Sequence, residues 1–304
     1  MVRKSSQPSS SVKTIKIILL VLAGVLLTAF ITYGTIKLIT DFAVEPAAPA
    51  EENIPEPEPE PEPEPIDFQA IMNDWMLSIS GDAGAIIYDL DENEVLAEHR
   101  ADEDFYTASL YKLFVVYEGY RRIESGIDNP DAVIARGYTR LKCLDLAIRE
   151  SYSPCAETIW AGIGHGTLDQ IIANDYGITH SNISSLVSTP RDIMFIMKRF
   201  WEHPDFSDNL WELAADSFLN QPITSYDWRQ GLPSGFSDKA KVYNKVGWDR
   251  NVVENYWKIY DDAAIVEFPE LDKRYIVVVM SNRVDHKDIA RFGTMIETAV
   301  TTNK

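Results

Sequence analysis

Twenty consecutive residues, Ile17 to Ile36, carry no charge, and they decide where in the 304-residue chain a globular domain can lie. As a helix this run would be about 30 Å long, the thickness of a bilayer's hydrocarbon core. Residues 1–16 are polar and basic, with Arg3, Lys4, Lys13 and Lys16 and no acid, whereas acids begin at Asp41. That asymmetry predicts a single-pass cell-membrane anchor with the N-terminus in the cytoplasm and the rest outside. A cleaved signal peptide is the competing reading, but the apolar run is long for one and Ala43 offers only a loose cleavage site. Both readings export the remainder of the chain.

Residues 37–65 read as a linker. The Pro-Glu alternation from Pro55 onward has nothing to bury and should extend as polyproline II. Pro46 to Pro65 would then span about 60 Å at ~3.1 Å per residue, enough to carry a domain into a cell-wall layer. Folding is left to residues 66–304. The five bases and nine acids before residue 66 leave that domain 23 Lys+Arg against 38 Asp+Glu, a net charge of −15. Nucleic acid is a disfavoured partner for such a surface, because phosphate binding needs clustered positive charge.

Within the domain, residues 84–90 and 94–98 read as a hairpin turning at Asp91-Glu92-Asn93. Ser109 to Ser125 reads as a long buried helix ending at Gly126. From about residue 139 to 217 only helical patterns occur, over 141–149, 154–163, 168–174 and 190–201, the last opening as a capped start, Thr189-Pro190-Arg191-Asp192. Strand patterns return over 240–246, 263–267 and 274–281. The run from Tyr275 to Met280 is apolar throughout and should be a central strand, and a closing helix covers about 286–300. This order predicts an α/β (α+β) fold: an antiparallel sheet flanked by helices, with its first and last elements adjacent and an all-helical lobe, about 121–217, inserted between.

Cys143 and Cys155 both lie in the exported part, where a disulfide is permitted. Twelve residues apart on one helix they would be about 18 Å apart, too far to bond. Ser151-Tyr152-Ser153-Pro154 between them should break the helix and fold it back, so a disulfide is expected; two reduced, buried thiols are the alternative. The five histidines, His99, His165, His180, His203 and His286, are scattered with no metal-ligand spacing, so neither a metal nor another cofactor is expected.

The chemistry-bearing motif is Ser109-Leu110-Tyr111-Lys112 at the start of the long buried helix. Three residues apart on a helix, hydroxyl and amine share a face, and a lysine held among apolar neighbours can be neutral enough to take the serine's proton. The helix N-terminus adds positive potential where an oxyanion would form. Alone the tetrad is a weak signal, since Ser10 and Lys13 form another in the basic tail. Ser151-Tyr152-Ser153 at a helix break and Lys245-Val246-Gly247 at a strand end come after it in order. Together with Thr189-Pro190-Arg191-Asp192 and the stretch Arg229 to Gly235, this ordered set resembles the class A β-lactamases and penicillin-binding proteins, with their S-x-x-K, S-D-N and K-T-G motifs, over nearly all of residues 68–300.

The resemblance implies a β-lactamase/transpeptidase-like fold and a serine hydrolase acting on β-lactams or D-Ala-D-Ala-type peptidoglycan peptides. Ser109 would be the nucleophile, Lys112 its proton acceptor, Ser151 the proton relay to the leaving nitrogen, and Lys245 the attraction for a substrate carboxylate. Backbone N–H groups of Ser109 and Trp248 would form the oxyanion hole, with Ser153, Val246, Gly247 and Trp248 facing substrate and Trp248 at the site mouth. Three departures matter. Tyr152 and Ser153 replace Asp and Asn of the middle motif, and Val246 replaces a Thr that helps bind the carboxylate. The loop 177–190, GITHSNISSLVSTP, lacks the Glu that activates the deacylating water, which should slow hydrolysis of the acyl-enzyme roughly 10²- to 10⁴-fold. A non-catalytic module that binds cell-wall peptidoglycan is the alternative these departures raise.

Overall fold

The computed structural model describes residues 28, 32, 65–221, 229–251 and 256–302. The chain divides into two units, Met1–Pro61 and Glu62–Lys304, and the elements named here belong to the second. The expected anchor over 17–36, apart from Thr28 and Thr32, and all but the last residue of the expected linker lie outside the described residues. Among the described residues no helix is long and apolar enough to cross a membrane.

Helix α1 (Phe68–Ser78) opens the unit. The Asp67 carboxylate caps it by accepting from the Ala70 N–H at 2.8 Å. Phe68, Met72 and Trp75, spaced one turn apart, form its buried stripe. No sequence pattern had singled out this helix.

Five antiparallel strands form the central sheet: β1 (Asp82–Asp89), β2 (Glu94–His99), β7 (Lys241–Asn251), β8 (Tyr256–Phe268) and β9 (Lys273–Asn282), in the order β2-β1-β9-β8-β7. The last strand in sequence therefore pairs with the first, as Ala85↔Val279 and Ile87↔Val277. β9 is the middle strand because its side chains are apolar in both directions. Ile276, Val278 and Met280 enter one buried cluster, and Tyr275, Val277 and Val279 enter another on the opposite face. The second cluster is closed by α1 and by α9 (His286–Thr302), where Trp75 stacks on Phe292 at 4.5 Å.

The first cluster is centred on α2 (Tyr111–Glu124), in which every residue from Tyr111 to Tyr120 is buried. Around it lie α3 (Arg140–Arg149), α4 (Ser153–Ile163), α5 (His165–Asn174), α6 (Pro190–Glu202) and α7 (Asp208–Leu219). The Thr189 hydroxyl caps α6 by accepting from the Asp192 N–H at 3.1 Å, as the Thr-Pro-Arg-Asp pattern predicts. The lobe is not purely helical. β4 (Val133–Ala135) and β5 (Tyr138–Thr139) form a small hairpin at its edge, and β6 (Val187–Ser188) pairs with β3 (Phe105–Tyr106). Two-residue ladders carry no alternation that a sequence can display, so the helical patterns alone were visible.

A disulfide joins Cys143 of α3 to Cys155 of α4, with Cα atoms 4.9 Å apart, so the chain does fold back at Ser151. Closing a loop of this length removes conformations from the unfolded chain. Replacing both cysteines with alanine should lower the unfolding free energy by about 3 kcal/mol in a denaturant titration, relative to the oxidised protein.

Candidate active site

Ser109 lies in a single 3₁₀ turn (Ala108–Leu110) between β3 and α2. Ala108, immediately before it, has φ of 40°, a left-handed conformation that non-glycine residues avoid. The expected helix thus begins two residues after Ser109, which stands half-exposed on a sharp bend. Two neighbours hold that bend. Thr107 N–H donates to the Leu186 carbonyl at 2.9 Å, tying it to the loop before α6. On the other side β7 passes so close that a Cβ on Gly247 would lie 2.7 Å from the Thr107 carbonyl and 3.2 Å from Leu110 N. Only glycine permits this approach.

The turn at Ser151 is the second component. Ser151 also has a left-handed φ, 51°, which brings its hydroxyl and carbonyl inward between α3 and α4. Lys112 Nζ lies 3.0 Å from Ser109 Oγ, 2.6 Å from the Ser151 carbonyl, 3.1 Å from Ser151 Oγ and 3.1 Å from Ser153 Oγ. From the opposite wall, Lys245 Nζ of β7 lies 3.0 Å from Ser151 Oγ and donates to its neighbour's carbonyl, Val246 O, at 2.6 Å. Ser109, Lys112, Ser151, Ser153 and Lys245 are therefore one hydrogen-bonded group.

Both amines are 1% exposed. Burial lowers the Lys112 pKa to about 8, against a smaller opposing pull from Glu157. Lys245 is pushed well below its ordinary value by burial and by the charge of Lys112, with Asp262 acting the other way. Asp262, fully buried on β8, accepts from Leu232 N–H at 2.8 Å and from the Asn244 amide at 3.0 Å; burial raises its pKa to about 7. A Cβ on Gly231 would lie 2.2 Å from Asp262 Oδ2, which explains the glycine before the short helix α8 (Leu232–Gly235).

Three of the residues expected to face substrate sit differently from that group. Val246 is 1% exposed, its side chain in the apolar cluster on the far face of the sheet. Trp248 is partly buried against that same cluster. Gly247 serves the close packing of β7 on the Ser109 turn. Among the described residues, no group of three or more His, Cys, Asp or Glu side chains is placed to hold a metal ion.

The loop 177–190 is held by carboxylates from outside it. Asp169 accepts from the Ile183 N–H at 2.8 Å and from Ser184, and buried Asp192 accepts from the His180 N–H at 3.0 Å and the Ser181 hydroxyl at 2.9 Å. His180 is exposed. A different carboxylate bears on Lys112 electrostatically: Glu157 of α4, which accepts from Tyr111 OH at 2.5 Å. Sequence reasoning missed it by looking for an acid only in the loop. Its signal was position, one helical turn after Ser153 and hence on the same face of α4.

A buried amine of lowered pKa beside a serine on a helix N-terminus, with a second amine–serine pair across the cleft, defines a serine acyl-transfer site. The sequence profile of the family described as "Beta-lactamase enzyme family" matches residues 67–298, and the chain belongs to that family. It is a serine hydrolase of the class A β-lactamase type. The fold is similar to that of PBP-A, with a TM-score of 0.67 and 18% identity over 80% of this chain and 99% of that one. It is also similar to an ancestral (GNCA) class A β-lactamase, at 0.67 and 15% over 76% and 99%, and to a β-lactamase from Xanthomonas campestris, at 0.67 and 12% over 77% and 97%. No curated protein matches.

Replacing Gly247 with alanine should drive β7 from the Ser109 turn, because the clash is with backbone rather than a yielding side chain. The expected result is a loss of about 1–3 kcal/mol of stability, read by thermal unfolding.

Proposed function

We propose that this protein stands on the outer face of a cell membrane, anchored by residues 17–36, and that Ser109 is acylated there by β-lactams or D-Ala-D-Ala-type peptidoglycan peptides, the ester then hydrolysing slowly. The observation that carries the acylation is the placement of Lys112 Nζ, 3.0 Å from Ser109 Oγ and 1% exposed. As the neutral amine it takes the Ser109 proton while the oxygen attacks the carbonyl. Ser151, between the two lysines, passes a proton to the departing nitrogen, and Lys245 attracts a substrate carboxylate. Slow hydrolysis is supported by the loop, which has no carboxylate of its own and whose neighbouring acids, Asp169 and Asp192, are engaged in holding its backbone. A point mutant of PBP-A, similar at a TM-score of 0.66 and 18% identity over 80% of this chain and all of that one, forms an acyl-enzyme complex with penicillin G. The anchor rests on the uncharged run and the charge asymmetry around it.

The test is intact-mass spectrometry of the full-length chain in detergent with benzylpenicillin, beside Ser109→Ala. The expected result is an adduct of penicillin mass on the unsubstituted chain alone, persisting for many minutes. Rapid loss of penicillin without an adduct would overturn slow hydrolysis, and neither adduct nor loss would favour a peptidoglycan-binding module.

The acylation rate should also depend on pH through Lys112. Its active form is the neutral amine and its pKa lies at about 8. The second-order rate constant should therefore fall about tenfold per unit below pH 8 and level off above it.

A further inference from the structure

The helical lobe holds a second concavity, a pocket of about 340 Å³ walled by α2, α3 and α7. That volume is within the range that small organic ligands occupy. None of the residues of the lysine–serine group lines it.

Tyr120 of α2 forms part of its wall, and the side chain is 1% exposed. Among the described residues its hydroxyl makes no hydrogen bond. Buried polar groups are nearly always satisfied, so a partner from within the pocket is the simplest completion of this one. Burial raises the phenol's pKa, which keeps it neutral and able both to donate and to accept. Beside it lie Leu141 of α3, half-buried, and Leu213 of α7, which is 46% exposed at the rim. They give the pocket uncovered apolar surface.

The charges around the pocket select the ligand. Both of its cations are already engaged. Arg149 donates through Nε to Asp145 at 2.6 Å, through Nη1 to the Asn220 carbonyl at 2.7 Å and through Nη2 to Asp216 at 2.5 Å. Lys142 donates to the other oxygen of Asp145 at 2.6 Å. Asp131 is the exception among the three carboxylates, since its side chain has no ion pair or hydrogen bond among the described residues. An anion entering here would meet paired cations and an uncompensated carboxylate, whereas a cation would meet its complement.

We propose that this pocket is a second binding site, taking a small organic cation: an ammonium group paired with Asp131, an apolar body between Leu141 and Leu213, and a hydrogen bond to the Tyr120 hydroxyl. It is opposite in charge preference to the Ser109 cleft, where Lys245 attracts a carboxylate. The site uses no atom of that cleft and stands independently of the reading of Ser109 as nucleophile.

The test uses the full-length chain in detergent with ¹³C-labelled leucine methyls, Leu141 and Leu213 being assigned with Leu141→Val and Leu213→Val. Benzylammonium, its neutral isostere benzyl alcohol, and benzoate are each titrated in the same detergent. Benzylammonium should shift both methyl signals saturably, with a dissociation constant at least about threefold below those of the alcohol and the acid. Asp131→Asn should abolish that preference and leave the alcohol's affinity unchanged. Tyr120→Phe should weaken ammonium and alcohol alike, about fivefold. Asp131 is exposed and the tyrosine change removes only an unpartnered hydroxyl, so both variants should unfold at the temperature of the unsubstituted chain. The proposal is overturned by no saturable shift at either leucine or by benzoate binding as tightly as benzylammonium. It is equally overturned by a preference that survives Asp131→Asn, or by full affinity in Tyr120→Phe.

Discussion

Two lysine amines buried in one cleft are the constraint on which the rest of the site depends. A cation removed from water is strongly disfavoured unless it is paired, loses its proton, or is surrounded by acceptors. Lys112 and Lys245, each 1% exposed, meet that demand through Ser109, Ser151, Ser153 and the carbonyls of Ser151 and Val246. The local distortions arise from it. Ala108 and Ser151 adopt left-handed backbone angles that cost on the order of 1–3 kcal/mol each, and both lie where the chain must turn an oxygen toward an amine.

Two buried acids lie on the strand beside Lys245. Asp261 and Asp262, adjacent on β8, are both 0% exposed, and burial raises both pKa values. Asp262 is hydrogen-bonded on both oxygens and bears on Lys245. Asp261 accepts from the Ser281 N–H at 2.7 Å through one oxygen, while its other, among the described residues, has no protein partner. β7 is thus flanked by Lys112 and Ser151 on the cleft side and by these acids on its neighbouring strand. Lys245 and Asp262 each shift the other, the acid favouring the charged amine and the amine favouring the carboxylate.

Much of the scaffold was legible because its signals are local. The uninterrupted apolar run of β9 announced a strand buried on both faces, and the Thr189 cap announced the start of α6. The spacing of Ser109 and Lys112 put amine and hydroxyl together, although the helix begins at Tyr111 rather than at Ser109. Helix α1 was overlooked beside the Pro-Glu run, since a single amphipathic stripe of three residues is a weak pattern. Ladder β3–β6 left no trace at all, because pairing of Tyr106 with Val187 is decided by the loop's route across the molecule.

Residue order alone determined the covalent kit: two lysines, two serine motifs, a loop without acid, cysteines twelve residues apart, and an uncharged run of twenty residues near the N-terminus. Those facts are properties of neighbours along the chain. Tertiary structure decided which atoms meet. Lys112 reaches a serine 39 residues away, Lys245 reaches the same serine from 94 residues away, and Tyr111 reaches Glu157 across 46. It also decided that Val246 faces the core and that Lys112 sits where its proton is loosely held. Burial and hydrogen-bond direction depend on the whole packed assembly around a side chain, which local residue order does not contain.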